Sequence, residues 1–403
     1  MNRKYIIALI FILSLVIRLF YVFIIPHDII VGDSYSWIKP AEDILDGKGY
    51  NDTKRGPIYP LIITVLYSIF GFEPLVITIF QSLVSSLNCI LIYIIAEKIF
   101  SPMTGIITAV LVCFYPYLIF YTGVVISETV YTFLISLTVL FIIYAKEKDR
   151  IYQWIFAGIS FGLTALCKPV ILVFLLFVFL WIYLTTQFKL YALINIFILG
   201  LFTLLTVLPW TIRNYFFYKK IIFISTGGAD FWLSNNDTAM VLETTPEIDE
   251  PAPERWIWFP KERYEEIKKL PITEADKIFW KEGINWIKNN PDKFSWLVWR
   301  RLIHFWRLWP KMATKKNKLI AKLTSGVYFP LALIGIIFSY KKYWEKTLLL
   351  IFLFVSFTLA YLPFYCMIRY RIPIDPLILV FTGYSITLFI KIIYEKSIIR
   401  KEL

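Results

Sequence analysis

The chain has 403 residues, of which 58% are hydrophobic and only 18% charged. Soluble domains are about 45–50% apolar even with glycine counted, so this composition excludes a single water-soluble globule. The net charge of +13 comes with two histidines and no basic arm; it fits inner-loop charge and contact with anionic membrane lipids, and nucleic acid is not an expected partner.

In chain order, ten segments are apolar enough to cross a bilayer: 5–25, 74–96, 103–121, 124–145, 151–167, 170–186, 189–209, 325–340, 347–365 and 372–392. A hydrocarbon core takes roughly 17–25 such residues as helix, so the fold class is all-α, a polytopic transmembrane helix bundle. Asn2-Arg3-Lys4 ahead of the first segment resembles a secretory signal, but the apolar stretch is too long and no small-residue cleavage site precedes Pro26; it reads as a retained first helix. Residues 58–70, between Pro57 and Gly71, are apolar but too short to cross, and read as a helix lying at the interface. With the N-terminus in the cytoplasm, the short inner segments carry more Lys and Arg than the short outer ones, which places both termini inside.

Three parts follow. Residues 1–209 form an N-terminal transmembrane module that includes a first outer loop, 26–73; residues 210–324 form an outer-face segment with interfacial amphipathic helices; residues 325–403 supply the C-terminal transmembrane helices and a cytoplasmic tail. Within the outer segment, the acidic, proline-broken stretch from Glu243 to Pro253 reads as irregular chain. Residues 273–309 read as helix, with Thr273-Glu274-Ala275-Asp276 able to cap one start and Pro291-Asp292 able to begin another. Trp296, Trp299, Trp306 and Trp309 interleave with Arg300, Arg301, His304 and Arg307, as in a headgroup-layer helix or one packed on the bundle through its tryptophans. Cys89, Cys113, Cys167 and Cys366 have no C-x-x-C spacing, so neither a disulfide framework nor a zinc site is indicated.

A charge inside a span is costly and marks a functional candidate. Arg18, in the outer half of the first span, needs an acidic partner or a lipid phosphate unless it snorkels to the interface. Asp33 lies about eight residues beyond that span, and a carboxylate there can act as a base on a hydroxyl group. Glu128 opens the fourth span at the same outer level; after Ser127 it equally suits a helix N-terminus favoured by the dipole. Lys168, Arg213, Arg369 and Arg371 sit at outer ends of spans and, with Arg55, can surround the two carboxylates with positive charge. Guanidinium groups fork onto phosphate oxygens, so the set suits a phosphate-bearing lipid, although each cation alone also reads as an interfacial anchor. There is no phosphate-binding G-x-x-x-x-G-K-[ST] loop, dinucleotide fingerprint, H-E-x-x-H or G-x-S-x-G elbow.

Arg18, Asp33, Arg55-Gly56-Pro57-Ile58-Tyr59-Pro60, Ser127-Glu128, Gly162-Leu163-Thr164-Ala165-Leu166-Cys167-Lys168-Pro169, Pro209-Trp210-Thr211-Ile212-Arg213-Asn214, Ser234-Asn235-Asn236 and Arg369-Tyr370-Arg371 occur in an order that resembles the GT-C membrane glycosyltransferases. The nearest resemblance is to glycosyltransferase family 39, with its dolichyl-phosphate-mannose protein mannosyltransferase-like and aminoarabinose-transferase-like relatives. The resemblance implies transfer of a hexosyl or pentosyl group from a polyprenyl-phosphate sugar donor to a protein, lipid or glycan acceptor at the outer face of the plasma membrane, by an inverting single displacement. By match, Asp33 is the general base and Glu128 the supporting acid, while Arg18, Arg55, Tyr59, Lys168, Arg213, Asn235, Asn236, Arg369 and Arg371 hold donor phosphate or substrate. The family often has Asp-Glu at the first-loop motif where this chain has Asp33-Ser34. No metal ligand is therefore assigned, a divalent ion stays open, and no other cofactor is expected. A polytopic transporter or lipid flippase is the alternative; transporters gather charges near mid-membrane, whereas here they collect at one face.

Overall fold

The structure is a computed structural model that describes residues 3–244, 261–309 and 314–402; those residues are helical or irregular, with no strand among them. Helix α1 (Arg3–Ile24) leads into a loop that carries α2 (Ser34–Leu45) and α3 (Ile58–Phe70). The bundle continues with α4 (Pro74–Ile99), α5 (Pro102–Cys113), α6 (Pro116–Phe120), α7 (Glu128–Lys148), α8 (Ile151–Cys167), α9 (Ile171–Thr185) and α10 (Lys189–Tyr218). Then come α11 (Gly228–Ser234), α12 (Asp237–Thr244), α13 (Lys261–Lys268), α14 (Ile272–Asn289), α15 (Pro291–Trp306), α16 (Lys315–Leu323), α17 (Ser325–Tyr361) and α18 (Asp375–Glu402).

Among the described residues six helical stretches are long and apolar enough to cross a membrane: α1, α4, α7, α10, α16 with α17, and the stretch Ile368–Glu395 that takes in most of α18. Helices α5, α8 and α9 are apolar but shorter. The chain is thus a multi-pass membrane protein. Without a hydrophobic drive between helices in lipid, close backbone approach holds such bundles together. At the α8–α10 seam a Cβ on Gly158 would lie 2.7 Å from Leu199 O, and Thr203 Oγ1 donates to Gly158 O at 3.2 Å.

Several boundaries differ from the sequence reading. The segment 103–121 is broken, because Phe114 leaves the helix and Pro116 starts the separate short α6. The next span begins at Glu128 rather than 124, and residues 122–127 cross the interior as buried irregular chain. Gln81 on α4 makes that burial tolerable, its Nε2 donating to Thr122 O at 3.0 Å and Val124 O at 2.8 Å. Helix α10 runs through Pro209 to Tyr218. The segments 325–340 and 347–365 form one element kinked at Tyr343 (φ −124°, ψ 31°), and the last helix starts at Asp375 after two short 3-10 turns, Ile368–Tyr370 and Ile372–Ile374. In the outer segment α14 begins at Ile272, one residue before the proposed Thr273 cap, and its N-cap position is Pro271. Beyond Thr244, the stretch from Glu243 to Pro253 lies outside the described residues.

Helices α11, α13 and α14 share a small core of Trp232, Tyr264, Ile267, Ala275 and Phe279. Helix α15 buries Leu297, Arg301, His304 and Phe305 while Trp299 stays exposed. Arg301 ties this layer to the bundle by donating to Ser234 O, to Asn235 Oδ1 at 3.2 Å and to Leu362 O at 3.1 Å.

Candidate active site

The start of α2, the loop before α3, the start of α7, the end of α8 and the turn before α18 meet at one end of the bundle, and each brings a charge. Asp33 occupies the N-cap of α2 but its side chain caps nothing, which leaves the carboxylate available to other partners. Its Oδ2 accepts from Arg369 Nη2 at 2.6 Å, and its Oδ1 lies 3.5 Å from Arg55 Nη2. The same Arg369 reaches Glu128, with Nε 3.2 Å from Oε1, and Lys168 Nζ donates to that oxygen at 2.9 Å. Two carboxylates and three cations therefore form one connected cluster.

Local chemistry explains each placement. Arg55 lies 4.5 Å over the Trp37 ring and donates to Ser36 Oγ, at 3.0 Å from Nε and 2.7 Å from Nη2. Ser36 in turn donates to Asp33 O at 2.7 Å, so α2 itself orients the arginine. Next door, Gly56 packs directly on Leu166 O at the end of α8, where a Cβ would overlap the carbonyl; this fixes Arg55 beside the Lys168 turn. Lys168 has extended backbone (φ −146°, ψ 119°), as a residue before proline must, and α8 ends there. Ser127 stands at the N-cap of α7 without a side-chain cap bond, and the Glu128 carboxylate is spent on Lys168 and Arg369 rather than on the helix end.

Burial separates the two acids. The Glu128 side chain is 2% exposed, whereas Asp33 is 26% exposed and can meet a substrate. Burial alone would push the Asp33 carboxyl upward, but Arg369, Arg55 and Lys168 outweigh it and hold the group at about 2. The cluster carries one positive charge in excess, which attracts an anion. Tyr361 and Tyr370 stack next to it, with ring centroids 4.7 Å apart and planes within 4°.

The other sequence candidates are engaged elsewhere. Arg18 is fully buried and donates to Ser85 Oγ, Ser14 O, Cys113 O, Val112 O and Cys89 Sγ, so carbonyls, a hydroxyl and a thiol stand where an acidic partner was expected. Tyr59 is also fully buried and donates to Gln81 Oε1 at 2.7 Å, bracing the loop chain. Arg371 turns inward, pairs with Asp375 Oδ1 at 2.9 Å and donates to Phe305 O and Arg307 O. Arg213 donates to Tyr50 O and packs over the Trp210 ring at 5.0 Å. Asn235 is buried and donates to Pro363 O at 2.9 Å; Asn236 donates to Trp232 O at 2.9 Å and accepts from Ala239 N, so neither reaches the cluster. Of the nine candidate binding residues, Arg55, Lys168 and Arg369 join the two carboxylates.

Sequence reasoning missed Ser36, Trp37, Gly56, Gln81 and the Tyr361–Tyr370 stack. Gln81 left a signal, a polar amide in an apolar span; the others needed tertiary contacts to become visible. A divalent ion does not fit these donors. Arg369 lies between the two carboxylates, and no group of three His, Cys, Asp or Glu side chains among the described residues has the placement to hold a metal.

Residues 54–212 match the family model of dolichyl-phosphate-mannose-protein mannosyltransferase. The archaeal oligosaccharyltransferase AglB from Archaeoglobus fulgidus, solved with an inhibitory peptide and a dolichol-phosphate, superimposes with a TM-score of 0.61 at 13% identity, over 100% of this chain and 52% of that one. The fold is the GT-C fold. The Archaeoglobus fulgidus oligosaccharyltransferase in the apo form gives 0.60 at 14% identity, over 99% and 52% of the two chains. ArnT from Cupriavidus metallidurans bound to undecaprenyl phosphate gives 0.44 at 12% identity, over 95% and 78%. The chain thus spans about half the length of the oligosaccharyltransferases it matches. No curated protein sequence matches it.

Proposed function

We propose that this protein is a membrane glycosyltransferase that moves a sugar from a polyprenyl-phosphate donor to an acceptor on the outer face of the plasma membrane, with Asp33 as the base. The observation that carries the reading is the shared Arg369, which couples a half-exposed carboxylate and a buried one to two further cations at one rim of the bundle. The GT-C fold and the mannosyltransferase family match over residues 54–212 support the same reaction class.

The chemistry needs one working carboxylate. A lipid phosphate is already a competent leaving group, unlike the alcohol that obliges glycosidases to use two. The acceptor oxygen or nitrogen bonds to the anomeric carbon as the bond from that carbon to the phosphate oxygen breaks, which inverts the centre. The acceptor proton passes to Asp33, and the phosphate keeps the bonding electrons. Arg55, Lys168 and Arg369 neutralise the departing phosphate, a contribution of about 2.7–4 kcal/mol per well-placed donor.

At about 2, Asp33 is fully ionised at neutral pH but weakly basic, because the arginines that hold it also stabilise its charge. When a donor phosphate enters, it competes with Asp33 for Arg369 and Arg55. The carboxylate loses charge partners and gains basicity only when substrate is present, which restrains it in the resting protein. Glu128, behind Arg369 and Lys168, keeps those two cations in place.

The test is reconstitution in lipid with a panel of labelled polyprenyl-phosphate sugars, following release of the carrier phosphate. Wild-type protein releases it with one donor, and Asp33→Asn lowers turnover by about 10²–10⁴ while folding normally. Substantial turnover by Asp33→Asn removes Asp33 from the base role; release with no donor at all removes the reaction.

A further inference from the structure

Glu128 uses only one of its oxygens in the charge cluster. Oε1 faces Lys168 and Arg369, while Oε2 is buried and meets no protein donor. Glu128 also lines a cavity of about 10 Å³ together with Ser85 and Asn88 of α4 and Thr129 and Thr132 of α7. Asn88, 1% exposed, likewise has a buried Oδ1 without a protein donor. A buried acceptor left unpaired costs roughly 1–3 kcal/mol, so two acceptors on one cavity require a donor that serves both.

The neighbouring hydroxyls identify that donor by elimination. Thr129 Oγ1 already donates to Tyr121 O at 2.9 Å, and Thr132 Oγ1 to Glu128 O at 2.7 Å. Ser85 Oγ accepts from Arg18 Nε at 2.7 Å, which leaves its own hydrogen to point into the cavity. Besides the Asn88 amide hydrogens, the space therefore offers two unpaired acceptors and one hydroxyl donor. A metal cation would want several oxygen ligands and no donor, and it would stand among Arg18, Lys168 and Arg369. A water molecule accepts one bond and donates two, and the cavity is about the size one water needs.

We infer that a single water binds between Ser85, Asn88 and Glu128, and that this water orients the Glu128 carboxylate. The bound water also gives the intramembrane Arg18 a role. Through Ser85 it fixes the hydroxyl that feeds the water, and so connects the middle of α1 to the charge cluster at the rim. The consequence for sugar transfer rests on the proposed function; the water itself does not.

Two substitutions separate this arrangement from simple packing. Asn88→Leu is nearly isosteric, removes the acceptor and puts a methyl group where the water sits. Asn88→Ala removes the same amide but leaves space for water beside Glu128. Packing alone would rank them the other way, since leucine suits an apolar bundle and alanine leaves a hole. The measurement is the carboxylate stretching band of Glu128 in protein held in lipid nanodiscs, isolated with isotope-labelled glutamate and a Glu128→Gln reference. The band moves in Asn88→Leu and keeps its wild-type position in Asn88→Ala, although Asn88→Leu melts no lower than Asn88→Ala. With a working donor, Asn88→Leu also loses on the order of tenfold or more in kcat, with KM little changed and the smaller loss in Asn88→Ala. An unmoved band in Asn88→Leu, or equal movement in both variants, overturns the inference. If no donor is turned over by the wild type, the proposed function fails while the band comparison still decides the water.

Discussion

The two ends of the bundle both carry a carboxylate held by more than one cation, yet they are built for different work. At the end away from the cluster Glu147 takes Lys98 at 2.5 Å and Lys346 at 2.7 Å, and Arg3 pairs with Glu97 at 2.7 Å. Those partners are mostly long lysine stems reaching from different helices, and they tie α1, α4, α7 and α17 together. At the other end the main connector is the rigid fork of Arg369, which spans Asp33 and Glu128 at once and is braced by the Tyr370 ring 5.5 Å away. Lysine pairs tolerate motion, whereas a planar guanidinium fixes geometry. The difference teaches that charge count does not distinguish a staple from a site; connectivity and an exposed carboxylate do.

The comparison breaks first at Arg369. Arg369→Ala should cost about 10²–10³ in transfer, close to the loss expected for one preorganised donor, and Arg369→Lys should recover little, because a point charge cannot serve both acids. Phosphate release kinetics in reconstituted protein check both. A lysine variant with near wild-type turnover would show that charge alone suffices there.

Two residues further on, Arg371 belongs to the architecture. It is fully buried against Asp375, itself bonded by Tyr115 OH at 2.8 Å. Removing one partner leaves an uncompensated buried charge, so Arg371→Met should destabilise by about 3–5 kcal/mol, and Arg371→Met with Asp375→Leu should recover much of that. Unfolding in detergent measures it; equal instability of the single and double variants would deny the pair its part.

How much of this was legible in the sequence follows from the same two arginines. The spans, the single-sided gathering of charge and the pair Asp33 and Glu128 are visible because apolar runs and intramembrane charges are costly and therefore sparse. Arg369-Tyr370-Arg371 was not separable, since two short 3-10 turns send one guanidinium to the rim and the other inward, and nothing in the letters fixes that rotation. Tyr59 and Asn235 lie apart from the charge cluster for a related reason. Each sits in a motif beside the cluster, but a buried amide or carbonyl claims its polar atom first. Gly56 and the Ser36–Arg55 bond depend on contacts between segments and were hidden altogether.

Acid sharpens the contrast between the ends. Asp33 has its folded value held at about 2 against 3.8 in the unfolded chain, so its contribution to stability is complete above pH 3.8 and is lost as pH falls from about 4 toward 2. The full difference is about 2 kcal/mol. Melting temperature followed over that range should fall more steeply for wild type than for Asp33→Asn, which lacks the titrating group; identical slopes would mean that the arginines do not stabilise the carboxylate.

The smallest effect is expected at the Glu147 staple. Glu147→Gln removes the acceptor for both Lys98 and Lys346, but the three side chains are 19–28% exposed, and water and salt take over much of the interaction. Exposed ion pairs contribute about 0–1 kcal/mol, so the variant should melt within a few degrees of wild type and transfer sugar at the wild-type rate. Lys346 also donates to Lys98 O at 2.7 Å, which keeps α17 joined to α4 without the carboxylate. Thermal unfolding and transfer measured on the same preparation test this. A loss of turnover without a loss of stability would mean that the Glu147 end communicates with the rim, and the division between staple and site drawn from their connectivity would fall.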